Sequence, residues 1–180
     1  SGQEVRLNAA NQINDGAATT VNSGAIFNLN NNNETISSLS GSGSINTGSG
    51  VGGTLTTGGT TSTSFTGTIS GNGGLTKVGT GTFTLGGTSA NTFSGTTTIN
   101  VGVLLLDKTA GVIALAGPII VGNDGGGAGA DGLRLNVNHQ IADTVAVTVT
   151  SSGRLDINGK TETIGSLSGA SSAAQVTLGT

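Results

Sequence analysis

His139 is the only histidine in the chain, so any hydrolase of the Ser/His/Asp type would need it as the general base. Asp143 lies four residues further on and could orient it. However, no G-x-S-x-G nucleophile elbow occurs. An internal repeat, described below, places Asn11 at the equivalent position, and asparagine cannot act as a base. We therefore predict that His139 is a solvated turn residue and that the chain is not an enzyme and has no catalytic residue.

The segment from Gly126 to Arg134 fits the nonapeptide G-G-x-G-x-D-x-U-x, which binds calcium in some β-helices. Asp131 supplies the carboxylate of that motif, and Asp124 could add another oxygen ligand. In such helices successive turns share each ion, so a single copy supplies half a site. A Ca2+ site at Asp124 and Asp131 is one prediction, and a plain Gly-rich loop is the alternative. We expect no other cofactor.

Charged residues recur 128 positions apart, namely Asp15 and Asp143, Glu34 and Glu162, and Arg6 and Arg134. Repeated carboxylates could bind carbohydrate or metal. The other interpretation, which we prefer, is that they are surface charges that keep a weakly charged chain soluble. Glycosidase chemistry would need two acids facing each other across a cleft, and the sequence alone places no pair in that way.

The composition limits the core and the possible partners. Among 180 residues there are 34 Gly and 4 Phe, with no Trp, Tyr, Met or Cys. Val, Ile, Leu and Ala can fill a core one or two side chains wide. The net charge is −3 and only 8% of residues are charged, with no basic patch, which argues against nucleic-acid binding. No apolar run approaches the ~18 residues of a membrane-spanning helix.

Apolar residues alternate with polar ones along most of the chain, as in Ile99 to Leu105 and Val145 to Val149. Gly and Asn clusters separate these segments, and no helical periodicity is sustained. Many short strands of this kind fit a sandwich, a barrel or a solenoid.

A sequence repeat decides among these architectures. Residues 6–41 return at residues 134–169 without a gap, with 18 of 36 positions identical. A sandwich has no reason to restart, whereas a parallel β-helix can restart indefinitely. We predict one continuous β-helical region over 1–180, with one repeat unit at 1–128 and the next beginning at 129–180. The chain is expected to be a slice of a longer tandem array.

The repeat also predicts the core. Apolar character persists in both copies at six pairs of positions, although two pairs differ in side chain. The residues expected to be buried are Ile13, Val21, Phe27, Leu29, Ile36 and Leu39, with Ile141, Val149, Leu155, Ile157, Ile164 and Leu167.

Threonine pairs occur at Thr54 and Thr56, Thr82 and Thr84, and Thr96 and Thr98. Stacked on a flat face, such pairs would suggest ice binding. Their spacings of 28 and 14 residues are not one constant coil length. The sequence therefore favours ordinary strand threonines.

Residues 71–107 resemble the autotransporter-associated β-strand repeat of Gram-negative passenger regions, whose pattern is GxGGLTKxGxGTLTL followed by NTFTGxTTIxxGxL. The resemblance covers about a fifth of the chain. The matching residues are Gly71, Gly73, Gly74, Leu75, Lys77, Gly79, Gly81, Thr82, Leu85, Asn91, Thr92, Phe93, Gly95, Thr97, Thr98, Ile99, Gly102 and Leu104.

This resemblance implies a right-handed parallel β-helix that is exported and displayed on a cell surface. It also implies a C-terminal outer-membrane β-barrel elsewhere in the full-length protein, and it carries over no catalytic residue.

Within the motif, Leu75, Phe83 and Leu85 are expected to point inward and Lys77 outward. Asn91 is a candidate interior asparagine, and the pairs Gly73-Gly74 and Gly86-Gly87 are expected at corners with positive φ.

The sequence as a whole favours a structural shaft or filament that acts in adhesion, spacing or self-association outside a Gram-negative cell. Its expected partners are further copies of the repeat in the same chain, homotypic copies, and host, matrix or glycan surfaces, but not nucleic acid. The alternatives are a β-helical enzyme acting on polysaccharide and a calcium-stiffened solenoid.

Overall fold

The structure is a computed structural model that describes residues 2–179. Over this range the chain forms β-strands and no helix, and so contains no helix that could span a membrane. The strands wind into a β-solenoid of about 8 turns. The predicted all-β class and parallel solenoid architecture are confirmed.

The strands belong to three parallel sheets, and each sheet forms one side of the solenoid. Sheet 1 contains β1 (Glu4–Arg6), β3 (Ile26–Asn28), β6 (Ser44–Asn46) and β9 (Thr68–Ser70). Sheet 2 contains β4 (Glu34–Ile36), β7 (Leu55–Thr57), β10 (Leu75–Lys77), β12 (Thr97–Ile99), β14 (Ile119–Val121), β16 (Ala146–Val149) and β18 (Ser166–Gly169). Sheet 3 contains β2 (Ala18–Val21), β5 (Ser38–Gly41), β8 (Thr63–Phe65), β11 (Thr82–Gly87), β13 (Gly102–Lys108), β15 (Asp131–Leu135), β17 (Gly153–Asp156) and β19 (Gln175–Thr177).

The chain passes along sheets 1, 2 and 3 in turn and then returns one coil further along the axis. In sheet 2, for example, Thr76 of β10 pairs with Thr56 of the coil before and Thr98 of the coil after. Each coil therefore hydrogen-bonds to both neighbours, and unpaired strand edges remain only at the two ends.

Corners between strands are as short as one residue, so the apolar alternation continues across them. The predicted strand from Ile36 to Leu39 is in fact the end of β4 and the start of β5, and only Ser37 lies between them. The predicted strand from Phe65 to Ile69 likewise spans β8 and β9. The period-2 pattern thus identifies inward side chains correctly but does not locate the strand ends.

The core is one hydrophobic cluster that follows the axis through the whole stack. Val, Ile and Leu side chains fill it, and all four phenylalanines, Phe27, Phe65, Phe83 and Phe93, are buried. Each such side chain stabilises the fold by about 1.5–3 kcal/mol relative to exposure. A narrow core of this kind is what the composition predicted.

Of the twelve residues predicted to be buried, eight are buried and three are half-buried. The half-buried residues are Ile13, Ile157 and Ile164. The prediction was wrong for Leu167, which is exposed. It lies in β18, the last strand of sheet 2, and no further coil covers it.

The two copies of the sequence repeat lie on different sides of the solenoid. β5 belongs to sheet 3, whereas its counterpart β18 belongs to sheet 2. β1 belongs to sheet 1, and its counterpart lies within β15 of sheet 3. The repeat of 128 residues is therefore one side short of six whole coils.

The glycines of the motif serve two different purposes. Gly87 has a positive φ of 97°, as predicted for a corner. Gly73 does not, and a Cβ there would collide with the carbonyl oxygen of Gly53 in the preceding coil. Gly73 is needed because adjacent coils approach closely, and positive φ is not the reason.

Candidate functional site

A polar side chain replaces the backbone of sheet 1 where its strands end. Asn91 is buried, and its Oδ1 accepts a hydrogen bond from the backbone N–H of Ile69 at 2.9 Å. Its Nδ2 donates to the carbonyl oxygen of Ala114 at 3.0 Å, on the other side. The side-chain amide therefore joins two neighbouring coils as a peptide group would. The prediction of an interior asparagine is confirmed.

Gln140 and Glu162 continue this role on the same side of the solenoid. The buried Gln140 accepts a hydrogen bond at Oε1 from the backbone N–H of Lys108 at 2.8 Å. Glu162 Oε2 accepts from the backbone N–H of Gln140 at 2.6 Å and of Ile141 at 3.2 Å. These side chains satisfy backbone groups that would otherwise lack partners in the interior.

Glu34 makes the equivalent contacts in the first copy. Its Oε2 accepts from the backbone N–H groups of Gln12 at 2.9 Å and Ile13 at 3.3 Å, and its Oε1 accepts from Thr35 at 3.2 Å. The residue is only 1% exposed. The surface-charge interpretation was therefore wrong for Glu34, which is an interior carboxylate held by backbone donors.

Lys77 points into the solenoid, so the prediction that it faces outward was wrong. Its Nζ donates to the carbonyl oxygens of Val78 at 2.8 Å, Gly79 at 2.7 Å and Val101 at 3.0 Å. The side chain is inward because it shares the period-2 position of Leu75 in β10. Desolvation by burial lowers the pKa of Lys77 to about 8, and the charge of Asp131 opposes that shift.

Lys108 is a second interior lysine, which the sequence analysis did not identify. It is buried at the end of β13, and its Nζ donates to the carbonyl oxygens of Gly86 at 2.8 Å and Gly67 at 3.1 Å. Burial lowers its pKa to about 8. Each lysine thus bonds backbone carbonyls of neighbouring coils with one ammonium group.

His139 lies at an exposed corner with a left-handed backbone, φ 53°. Its repeat partner Asn11 has nearly the same φ, 51°, and is also exposed. Both backbone N–H groups donate to the next coil, His139 to Thr161 and Asn11 to Asn33, each at 3.0 Å. The position therefore serves the geometry of the corner in both copies.

The two candidate calcium ligands have different partners. Asp124 is exposed and accepts hydrogen bonds from the backbone N–H and the hydroxyl of Ser151, which lower its pKa. Asp131 is buried and accepts from the hydroxyl of Ser152 at 2.7 Å. Asp131 lines a cavity of about 340 Å³, and Asp124 does not.

Within residues 2–179 no group of three or more His, Cys, Asp or Glu side chains is arranged to hold a metal ion. The Asp131 cavity also contains Asn100 and Asn123, whose amide oxygens are possible calcium ligands. The positive charge of Lys77 already acts on Asp131. Calcium binding at Asp124 and Asp131 stays a prediction.

Sheet 2 presents a continuous row of threonines on its outer surface. Thr35, Thr56, Thr76 and Thr98 pair in register on four successive coils, and we call them the threonine ladder. Ile120, Thr148 and Ser168 extend the row. The sequence spacing argued against such stacking, and that argument was wrong because corners of different length absorb the differences between coils.

The ladder hydroxyls differ from other outer hydroxyls. Elsewhere hydroxyls of adjacent coils bond to each other, at 2.9 Å between Thr20 and Ser40 and 3.1 Å between Thr148 and Ser168. No such pair forms within the ladder among the described residues. Beside the ladder lies an open trough of about 550 Å³ lined by Asn, Thr, Gly and one Val, with no charged or aromatic residue.

The fold, together with polar side chains that serve the joins between coils, defines a structural β-solenoid. Residues 75–106 match the family model of the Passenger-associated-transport-repeat, a repeat of autotransporter passengers. The matched segment runs from β10 into β13 and includes Lys77 and Asn91. No curated protein and no solved structure matches the chain. The resemblance found in the sequence is confirmed, and the fold and the repeat fit an autotransporter passenger.

Proposed function

We propose that this chain is a structural shaft that stands outside a Gram-negative cell, displayed on its surface or secreted, and acts in adhesion, spacing or self-association. The observation that carries the proposal is the unbroken stack of about 8 coils. Its interior polar groups, such as Lys77 and Asn91, bond backbone groups of adjacent coils. The chemistry of the interior is thus committed to holding the shaft together.

The outer surface supports weak, repeated contacts. The threonine ladder offers the same hydroxyl group on four successive coils, about 4.8 Å apart. A neutral glycan or a second shaft laid along sheet 2 would contact several coils at once. Many weak contacts of this kind add up to strong attachment through multivalency.

The test displays the chain on Gram-negative cells by fusion to an outer-membrane barrel. Thr56→Val with Thr76→Val removes two ladder hydroxyls while keeping the shape of the side chains. The matched control is Thr82→Val with Thr84→Val, which makes the same change on the outer surface of sheet 3. Adhesion to matrix-coated and glycan-coated surfaces and cell–cell aggregation are measured.

We expect the ladder variant to reduce at least one of these activities several-fold and the control to leave them unchanged. Equal activity of both variants would remove sheet 2 as the contact surface. If the displayed wild-type chain produced neither adhesion nor aggregation, only the role as a spacer would remain.

A further inference from the structure

The sequence repeat provides an internal reference for both open ends of the solenoid, because the same position occurs once at an end and once inside the stack. At the N-terminal end, Val5 is 61% exposed, whereas its repeat partner Leu133 is fully buried. At the C-terminal end, Leu167 is 48% exposed, whereas its repeat partner Leu39 is fully buried. Position in the stack, and not residue type, explains the difference.

The C-terminal end can be compared strand by strand with the interior of the first copy. β19 pairs with β17 as β6 pairs with β3, so Val176 is the structural counterpart of Ile45. Ile45 is buried beneath β9, whereas Val176 is 46% exposed. Leu39 lies in β5, which β8 covers, and its counterpart Leu167 has no such cover. The strands absent from the C-terminal end are therefore the counterparts of β7, β8 and β9.

The N-terminal end can be compared with the interior of the second copy. Leu133, the partner of Val5, pairs with Leu104 of β13. Ile141, the partner of Ile13, pairs with Leu115. The strands absent from the N-terminal end are therefore the counterparts of β13, β14 and the segment around Leu115.

The two copies also show how successive repeats are oriented. The Arg6 guanidinium donates to Asn30 at 2.7 Å beside sheet 1, and Arg134 donates to Asn158 at 2.9 Å beside sheet 3. The contact is the same, and the side of the solenoid has changed. Because the repeat is one side short of a whole number of coils, every later copy must turn by one side relative to the copy before it.

We infer that each open end is a docking surface for a further copy of this repeat in the same chain, and that successive copies stack with a turn of one side each. The interface is continuous with the ladder of parallel strands that joins the coils already present. Three copies return a given residue to its original side. An array therefore presents the threonine ladder and every other surface feature to all three sides, and not along a single stripe.

The test is an extended chain in which residues 49–180 follow Gly179, since Gly179 occupies the place of Gly48 after its strand. The chain contains no cysteine, so a single introduced thiol reports on one position. Leu167→Cys is expected to react readily with a thiol reagent in the present chain. In the extended chain it should react at least tenfold more slowly, as slowly as Leu39→Cys does in the present chain.

A shorter variant covers the case in which the long extension does not fold. In it, only residues 49–70 follow Gly179, which adds counterparts of β7, β8 and β9. The matched control appends the same residues in scrambled order, and Leu167→Cys should then stay reactive. A reactive thiol beside the correctly ordered extension would overturn the docking surface. Protection of Leu167→Cys in the present chain would instead assign the end to a separate molecule.

The turn between copies is tested by labelling Thr20→Cys and its counterparts with gold in an extended chain that carries three of these sites. Electron microscopy should show the labels on three different sides of the rod. Labels in one line along the rod would overturn the turn of one side per copy.

Discussion

Glu34 and Glu162 make the same pair of backbone hydrogen bonds on different sides of the solenoid. Glu34 bonds the N–H groups of Gln12 and Ile13 on the side of sheet 2. Glu162 bonds those of Gln140 and Ile141 on the side that sheet 1 begins. The carboxylate therefore belongs to the repeat unit and closes a corner wherever the unit places it.

We predict that Glu34→Gln destabilises the first coil. The side-chain amide has one oxygen in place of two, so at least one backbone N–H among Gln12, Ile13 and Thr35 loses its acceptor. A buried donor without a partner costs about 1–3 kcal/mol. Hydrogen exchange should accelerate at the amides of Gln12 and Ile13.

Glu4→Gln is the control for this prediction, because Glu4 is exposed and accepts only from the side chain of Asn28. It should change neither exchange rate. Unchanged protection of Gln12 and Ile13 in Glu34→Gln would contradict the assigned role.

The sequence contained enough information to place most inward side chains. Leu75, Phe83 and Leu85 were predicted to be inward from alternation, and all are buried. Lys77 follows Leu75 by two residues and Lys108 follows Leu106 by two, so the same alternation places both lysines inside. The prediction for Lys77 was wrong because the charge was given more weight than the period.

Other features depend on pairings that the sequence does not show. Thr56, Thr76 and Thr98 are separated by 20 and 22 residues, and only the strand register shows that they stack. The turn of one side between copies has the same origin. It requires a count of sides per repeat, and corners of variable length hide that count.

The interior lysines predict an alkaline increase in stability. Below a pH of about 8 both lysines are charged in the folded and the unfolded chain. Between about 8 and 10.5 the folded chain has released these protons and the unfolded chain still holds them. The unfolded state then binds more protons, so the free energy of unfolding rises with pH across this window. The thermal midpoint should increase from pH 7.5 to pH 9.5.

Substitutions identify the source of this effect. Lys77→Met with Lys108→Met should remove most of the increase, whereas Lys160→Met, at a half-buried site near the C-terminal end, should retain it. A wild-type thermal midpoint that stays level or falls over the same range would contradict the lowered pKa values.

Asn91→Asp should be among the most destabilising single substitutions in the chain. A carboxylate can still accept from the N–H of Ile69, but it cannot donate to the carbonyl oxygen of Ala114. It also places an unpaired charge in the core. We expect a loss of about 3 kcal/mol or more, measured by chemical denaturation.

Asn72→Asp is the matched control, because Asn72 is exposed and its amide donates to Ser49 and Gly50 at the surface. Its cost should stay below about 1 kcal/mol, since water can replace the lost contacts. Equal costs for the two substitutions would mean that Asn91 does not bridge the coils.

His139→Asn should change little. The substitution makes the second copy identical to the first at a corner where Asn11 already adopts a φ of 51°. Asparagine tolerates the left-handed region, so stability should stay within about 0.5 kcal/mol. His139→Val is the contrasting variant, because a β-branched residue at this φ should cost about 1 kcal/mol or more. Adhesion and self-association should survive His139→Asn. Loss of a hydrolytic activity in that variant, with an unchanged melting temperature, would show that the histidine is catalytic and replace the structural interpretation with an enzymatic one.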